Sequence, residues 1–229
     1  MVEEISFTGS SKNCCISFID IVDSTKITTT EINDAEKIRK YYSIFINTMA
    51  AIIRDFNATI IKNTGDSLLY YFPETSNNSS AAVDDDDGIS VFKEIFECGL
   101  TMVEASTIID TKNQEEGLPA LNYRISADYG RVEIAKSMTS TSDDLFGPTV
   151  SLCAKINSMA PINGMVIGRD LYEVTRSSPP SFDNDYYFSE IGKYPITELK
   201  YQHYPVYSII RNKNKENNSK TLNLYKNVP

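Results

Sequence analysis

The sequence predicts an α+β fold in which long amphipathic helices cover one face of an antiparallel sheet. Short apolar, β-favouring runs alternate with stretches of helical periodicity, and neither an internal repeat nor a second core is visible. The chain has 229 residues, of which 41% are hydrophobic, and a chain of this length buries roughly 70% of its unfolded surface. We therefore expect one domain over residues 1–211 and a polar, frayed tail over residues 212–229.

The first half of the chain predicts a strand, a helix and a hairpin. Residues 14–21 form an apolar run that is too short for a helix, so we interpret it as a buried strand. Asp34 is a plausible N-cap for an amphipathic helix. Its apolar positions are Ile38, Tyr41, Phe45, Met49, Ile52 and Phe56. Residues 58–63 and 67–72 then flank a turn around Gly65, which is typical of a hairpin.

The second half begins with a small, polar and acidic segment, residues 74–88, which indicates a loop. Its run Asp84–Asp87 lacks the alternating ligands and the distal Glu of an EF-hand, so a solvated loop is favoured over a calcium site. A helix follows over residues 92–103, and residues 122–129 and 131–135 predict another hairpin around Gly130.

The remaining elements complete a ferredoxin-like order. A short helix is predicted over 149–159 with Pro148 in its first turn. Further strands are predicted over 165–167, 186–190 and 204–210. The order β, α, β, β, α, β is that of a split βαβ core.

Composition excludes several functions. Lys plus Arg number 22 against 31 Asp plus Glu, a net charge of −9, which argues against a nucleic-acid footprint. The first eleven residues lack the pattern of a signal peptide, and no run approaches the roughly 20 apolar residues that cross a bilayer. We expect a soluble, cytoplasmic protein with neither a nucleic acid nor a membrane as partner.

Histidine and cysteine usage narrows the chemistry. His203 is the only histidine, which disfavours a zinc site or a Ser/His/Asp triad. The four cysteines form no CxxC pair, and we expect buried thiols in a reducing compartment. They are Cys14, Cys15, Cys98 and Cys153. An enzyme with this sequence would use carboxylates, lysines, hydroxyls and a hard metal ion.

Two aspartates end neighbouring elements. Asp20 lies at the end of the first strand and Asp66 in the turn of the first hairpin, and sequential elements usually lie side by side. Two converging carboxylates with no histidine or thiolate suit Mg²⁺ or Mn²⁺. The alternative is that they are unrelated acids at two strand ends.

Four blocks of the sequence resemble the signature blocks of class III nucleotidyl cyclases, and they stand in that family's order. They are FIDIVDST (18–25), KNTGDSLLYYF (62–72), YRISADYGRV (123–132) and DLFGPTVSLCAKI (144–156). Residues 186–210, with Glu198, Leu199 and Lys200, are similar to the family's closing strands. The resemblance implies a ferredoxin-like core that works as a head-to-tail homodimer, with active sites at the subunit interface.

The resemblance implies a metal site that holds two ions, Mg²⁺ or Mn²⁺. Asp20 and Asp66 match the metal-binding aspartates, and the main-chain carbonyl of Ile21 would be a further ligand. Ser24 and Thr25 stand where amides and hydroxyls can meet phosphate, or they are turn and capping hydroxyls.

The resemblance also implies that Lys62 and Asp144 read the base. Adenine offers an acceptor at N1 and a donor at its 6-amino group, which fit a Lys donor and an Asp acceptor, while guanine inverts both. Cytosine shows the same order as adenine, so only pocket size would separate ATP from CTP. The alternative is a strand-edge lysine and an acid at a helix start.

The chain departs from the family at the implied catalytic helix. Ser151 and Lys155 replace the usual Asn and Arg, and their i, i+4 spacing keeps them on one face. Lys cannot give the planar bidentate grip on phosphate that Arg gives, so catalysis is expected to be slow. Pro148 and Asp23 also depart from residues that are common in the family. Lys200 falls near the position of a lysine that can meet the terminal phosphates in the family, or it is a surface lysine of a strand.

The sequence therefore predicts an adenylate cyclase that converts ATP to 3′,5′-cyclic AMP and pyrophosphate. A cyclase that uses CTP is the alternative within the class, while a diguanylate cyclase is disfavoured because no GGDEF-like run follows the hairpin strand. Outside the class, the alternative is a nucleotide-binding regulatory or dimerisation module with little turnover.

Overall fold

The computed structural model describes residues 5–73, 91–137, 143–177, 182–196, 202–212, 225–226 and 228. The acidic loop 74–88, Lys200 and most of the predicted tail lie outside the described residues.

Eight strands and six helices make up the described chain. The strands are β1 (Ile5–Ile21), β2 (Thr59–Asn63), β3 (Ser67–Phe72), β4 (Tyr123–Ser137), β5 (Asp143–Phe146), β6 (Gly164–Gly168), β7 (Tyr186–Ile196) and β8 (Gln202–Arg211). The helices are α1 (Ser24–Lys26), which continues as a π-helical turn (Ile27–Glu31), α2 (Ala35–Asp55), α3 (Val91–Glu104), α4 (Ser106–Glu115), α5 (Pro148–Ile156) and α6 (Arg169–Ser177). The 3₁₀ turns are Asn157–Met159 and Phe182–Asn184. None of the helices in this part of the chain is long and apolar enough to span a membrane.

The strands form one sheet in the order β2-β3-β1-β4-β6-β8-β7, with β5 paired to β4. The antiparallel segment β2-β3-β1-β4 has the predicted ferredoxin-like order, which confirms the fold class. The sheet as a whole is mixed rather than antiparallel, because β4 and β6 pair in parallel. The chain crosses between them through α5, as a parallel pair requires.

Helices cover both faces of the sheet, where the sequence predicted one. Side chains of successive strand residues point to opposite faces. Cys15 and Ile19 of β1 join the main core under α2, α3, α4 and α6, whereas Cys14 and Ile16 join a second cluster. Cys153 of α5 belongs to that second cluster, so α5 covers the opposite face.

The hairpin predicted around Gly130 is wrong, because β4 continues through this residue and pairs with β1. A Cβ atom at Gly130 would lie 2.5 Å from Oγ1 of Thr149, in the first turn of α5. The glycine permits close approach of the helix to the strand rather than a turn.

Helix α2 agrees with its predicted cap and buried face. The side chain of Asp34 accepts hydrogen bonds from the backbone amides of Glu36 (2.7 Å) and Lys37 (3.3 Å), and these bonds lower the pKa of Asp34. The residues buried from α2 are Tyr41, Ile44, Phe45, Thr48, Met49, Ile52 and Ile53.

The expectation of a frayed tail is wrong at Tyr225. This residue is 2% exposed and belongs to the main core. Nζ of Lys112 on α4 donates to the carbonyl oxygen of Tyr225 at 3.3 Å and also to that of Val228. The sequence analysis missed the buried Tyr225 because the residues around it are mostly polar.

Candidate active site

The structure brings Asp20 and Asp66 together where β1 ends and β3 begins. Asp20 lies near the end of β1, opposite Ser67 of β3, and Asp66 lies in the turn that precedes β3. The backbone amide of Ile21 donates to the carbonyl oxygen of Asp66 at 3.1 Å. This hydrogen bond docks the turn against the end of β1.

The two carboxylates interact electrostatically. The pKa of Asp20 is raised to about 6, mainly by burial and also by the negative charge of Asp66, whereas Arg124 opposes the rise. Two carboxylates that repel each other form a site that a cation stabilises.

The donor set fits Mg²⁺ or Mn²⁺, which bind oxygen ligands and readily retain substrate phosphates and water as ligands. Within the described ranges, no group of three or more His, Cys, Asp and Glu could hold a metal ion. An ion here would therefore take other ligands from backbone carbonyls, such as that of Ile21, and from a bound substrate.

Ser24 is a partner of Asp66 rather than a helix cap. Its hydroxyl donates to Oδ2 of Asp66 at 2.6 Å, and the N-cap position of α1 belongs to Asp23, which has a left-handed backbone with φ of 56°. A hydrogen bond of this kind orients a metal-ligating carboxylate. Thr25 is exposed next to it.

Arg124 is a candidate site residue that sequence reasoning missed. It lies on β4 directly opposite Asp20, and residues opposite each other on paired strands share a face. Its Nε atom is buried and has no hydrogen-bond partner among the described residues. A half-buried guanidinium beside the carboxylate of Asp20 is suited to bind phosphate. Arg124 lies in the block 123–132, which could have drawn attention to it. The pairing of Arg124 with Asp20 could not be predicted, because the sequence does not give the register of β4 on β1.

A β-bulge places Lys62 on the same sheet face as Asp20. The register of β2 on β3 shifts at Ile61, so that Lys62 lies opposite Leu69. Leu69 in turn lies opposite Phe18, two residues before Asp20 on β1. Bulges redirect side chains in this way, and Lys62 is exposed on that face.

Asp144 lies on a strand and not at a helix start. Strand β5 contacts β2, and Leu145 packs in the same cluster as Ile61, so Asp144 and Lys62 come from two elements in contact. Oδ1 of Asp144 accepts from the amide of Leu145 at 3.0 Å.

Ser151 and Lys155 lie on the exposed side of α5. They line a cavity of about 230 Å³ between this helix and the end of β7. The cavity is lined by Pro148, Ser151, Leu152, Lys155, Tyr194, Pro195 and Ile196. Lys200 lies outside the described residues. We name two groups of residues after their expected roles: Asp20, Asp66 and Arg124 are called the metal half-site, and Lys62, Asp144, Ser151 and Lys155 the base half-site.

The remaining polar candidates take no part in either half-site. All four cysteines are buried thiols, as expected. His203 is exposed on β8.

Comparison with known proteins identifies similar chains. Residues 8–208 match the family described as the adenylate and guanylate cyclase catalytic domain. A cytidylate cyclase of Staphylococcus aureus is 25% identical over 177 residues, which are 73% of this chain and 38% of that protein. The chain thus spans well under half the length of this curated relative.

Two solved structures share the fold. The adenylyl cyclase CyaB from P. aeruginosa has a TM-score of 0.71 and 16% identity, over 92% of this chain and 98% of its own. The guanylyl cyclase Cya2 has a TM-score of 0.69 and 20% identity, over 88% of this chain and 93% of its own.

Proposed function

The chain belongs to the adenylate and guanylate cyclase catalytic domain family, and we propose that it converts ATP to 3′,5′-cyclic AMP and pyrophosphate at the interface of a head-to-tail homodimer. The observation that carries this proposal is the convergence of Asp20 and Asp66 beside the half-buried guanidinium of Arg124. Each active site would combine the metal half-site of one subunit with the base half-site of the other.

The reaction forms a bond between the ribose 3′ oxygen and the α-phosphorus and expels pyrophosphate. Divalent ions, when bound, lower the pKa of the 3′-hydroxyl and neutralise charge on the triphosphate. Asp20 and Asp66 would hold these ions, and the hydrogen bond from Ser24 would fix the carboxylate of Asp66. Arg124 would bind a phosphate oxygen that faces the carboxylates.

The base half-site would select the nucleotide and assist its reaction. Lys62 would donate to the ring nitrogen of the base and Asp144 would accept from its exocyclic amine, which favours adenine and cytosine over guanine. Ser151 would orient the ribose, and Lys155 would stabilise the negative charge that develops on the α-phosphate.

CTP is the second candidate substrate. Its support is the cytidylate cyclase of Staphylococcus aureus, which is 25% identical to this chain. Cytosine presents the same acceptor and donor order to Lys62 and Asp144 as adenine does.

The experiment incubates the purified protein with Mn²⁺ or Mg²⁺ and with ATP, GTP, CTP or UTP in turn, and resolves the products by mass spectrometry. Cyclic AMP that is absent with the Asp66→Asn variant supports the proposal, whereas cyclic CMP as the main product would transfer it to CTP. Nucleotide binding without any cyclic product would support a regulatory module instead. Glu116→Gln is the control. Glu116 is an exposed acid that forms an ion pair with Lys40.

A further inference from the structure

Helix α5 is held on the sheet by polar side chains as well as by apolar packing. Ser126 of β4 donates from Oγ to the carbonyl oxygen of Cys153 at 2.8 Å. Just after the helix, Nδ2 of Asn157 lies 3.2 Å from the carbonyl oxygen of Phe18 and 3.0 Å from that of Arg124. Ser126, Cys153 and Asn157 thus form polar contacts between the α5 region and the sheet.

Asn157 reaches both strands that carry the metal half-site. Phe18 is two residues before Asp20 on β1, and Arg124 lies opposite Asp20 on β4. Asn157 is only 5% exposed, so water cannot readily replace these hydrogen bonds. Apolar contacts tolerate small repacking shifts, whereas hydrogen bonds to two carbonyl groups weaken steeply when their geometry changes. Asn157 therefore fixes the position of the end of α5 along β1 and β4.

Lys155 lies two residues before Asn157, and Ser151 lies one turn further back on the same exposed side of α5. One turn of helix rises about 5.4 Å, so a shift of a fraction of a turn would displace both side chains relative to the cavity that they line.

We propose that Asn157 is a positioning residue for the cyclisation reaction. It touches no substrate, and it holds Lys155 in the place where that side chain meets the α-phosphate in the transition state. This role rests on the proposed function.

The main test replaces Asn157 by Asp, which keeps the shape but presents a second acceptor to two carbonyl oxygens. We expect kcat to fall about 10- to 100-fold while KM for the nucleotide changes less than about twofold, because the metal and base contacts remain. Amide hydrogen exchange over residues 150–159 should become faster.

Asn113→Asp is the matched control. Asn113 is a fully buried amide on α4 that donates to the carbonyl oxygen of Pro119 at 3.2 Å, away from both half-sites. We expect this variant to lose thermal stability but to retain kcat and the exchange rates of α5. An equal loss of kcat in both variants would reduce the role of Asn157 to general stability and would overturn the proposal.

A double-mutant cycle tests whether Asn157 acts through Lys155. If it does, Asn157→Asp combined with Lys155→Ala should be no slower than Lys155→Ala alone. Multiplicative losses would contradict the proposal.

Asn157→Ala removes the hydrogen bonds without adding a charge, and it covers the case in which Asn157→Asp does not fold. It should show the same split between kcat and KM, and a wild-type kcat would overturn the proposal. A wild-type protein that makes no cyclic nucleotide would instead overturn the proposed function itself.

Discussion

Asp20 of β1 and Arg124 of β4 lie directly opposite each other on two neighbouring interior strands of the sheet. The positive charge of Arg124 lowers the pKa of Asp20, against the larger effect of burial and the repulsion from Asp66. In the proposed function, the carboxylate of Asp20 would bind a metal ion and the guanidinium of Arg124 would face the triphosphate.

Replacing Arg124 by Gln is expected to lower kcat/KM for the nucleotide about 10- to 100-fold, because a charge-assisted hydrogen bond to phosphate is lost. Initial rates over a range of nucleotide concentrations at fixed metal measure this change. Arg131→Gln is the control, since Arg131 is an exposed arginine of the same strand paired with Glu133. Equal rates in the two variants would contradict the role of Arg124.

Replacing Lys62 by Ala should reduce product formation from the preferred nucleotide by about tenfold or more, because one charged hydrogen bond to the base is removed. Asp144→Ala should have a similar effect. Lys37→Ala, at an exposed lysine of α2, is the control. If neither the Lys62 variant nor the Asp144 variant forms less product, other residues recognise the base.

Changing Ser151 to Asn and Lys155 to Arg together is expected to raise kcat several-fold. The longer amide reaches the ribose, and the guanidinium can bind phosphate through two hydrogen bonds. Single-turnover measurements would show whether the chemical step accelerates. An unchanged rate would count against the placement of these residues at the reacting phosphate.

Asp128 should make stability depend on pH. Burial raises its pKa to about 7, with a smaller contribution from Asp170, although hydrogen bonds from Tyr204, Tyr129 and Leu171 oppose the rise. A raised pKa means that the folded state retains a proton that the unfolded state releases, so stability is lost as pH rises from about 4 to about 7.

We therefore expect Asp128→Asn to raise the thermal unfolding midpoint relative to wild type, and to raise it more at pH 8 than at pH 5. Glu116→Gln, at an exposed acid, should show no such difference between the two pH values. The same gain at both pH values would contradict the assignment to Asp128.

Local patterns were sufficient to predict much of the core. The cap at Asp34, the spacing of the apolar residues in α2 and the hairpin around Gly65 are local signals, and each is confirmed. The hairpin predicted around Gly130 is wrong because this glycine leaves room for the side chain of Thr149. The two residues are distant in the sequence. Propensity cannot distinguish such a contact from a turn.

The site was predicted only in part, because some of its contacts also join distant parts of the chain. Asp20 and Asp66 could be paired because they end consecutive elements, and the structure places them together. Arg124 and Asn157 could not be found in this way, because their positions depend on the register of β4 against β1 and on the docking of α5. The face on which Lys62 lies depends on a bulge that no sequence pattern marked. The catalytic roles of these residues stay predictions.

The most direct test of the account mixes two variants that should each be inactive, Asp66→Asn and the double variant Asp144→Ala/Lys155→Ala. If each active site combines the metal half-site of one subunit with the base half-site of the other, half of the dimers formed at random contain one intact site. Co-folding equal amounts should then restore about a quarter of wild-type turnover. No recovery in mixtures that form mixed dimers, with an active wild-type protein alongside, would contradict a site shared between subunits.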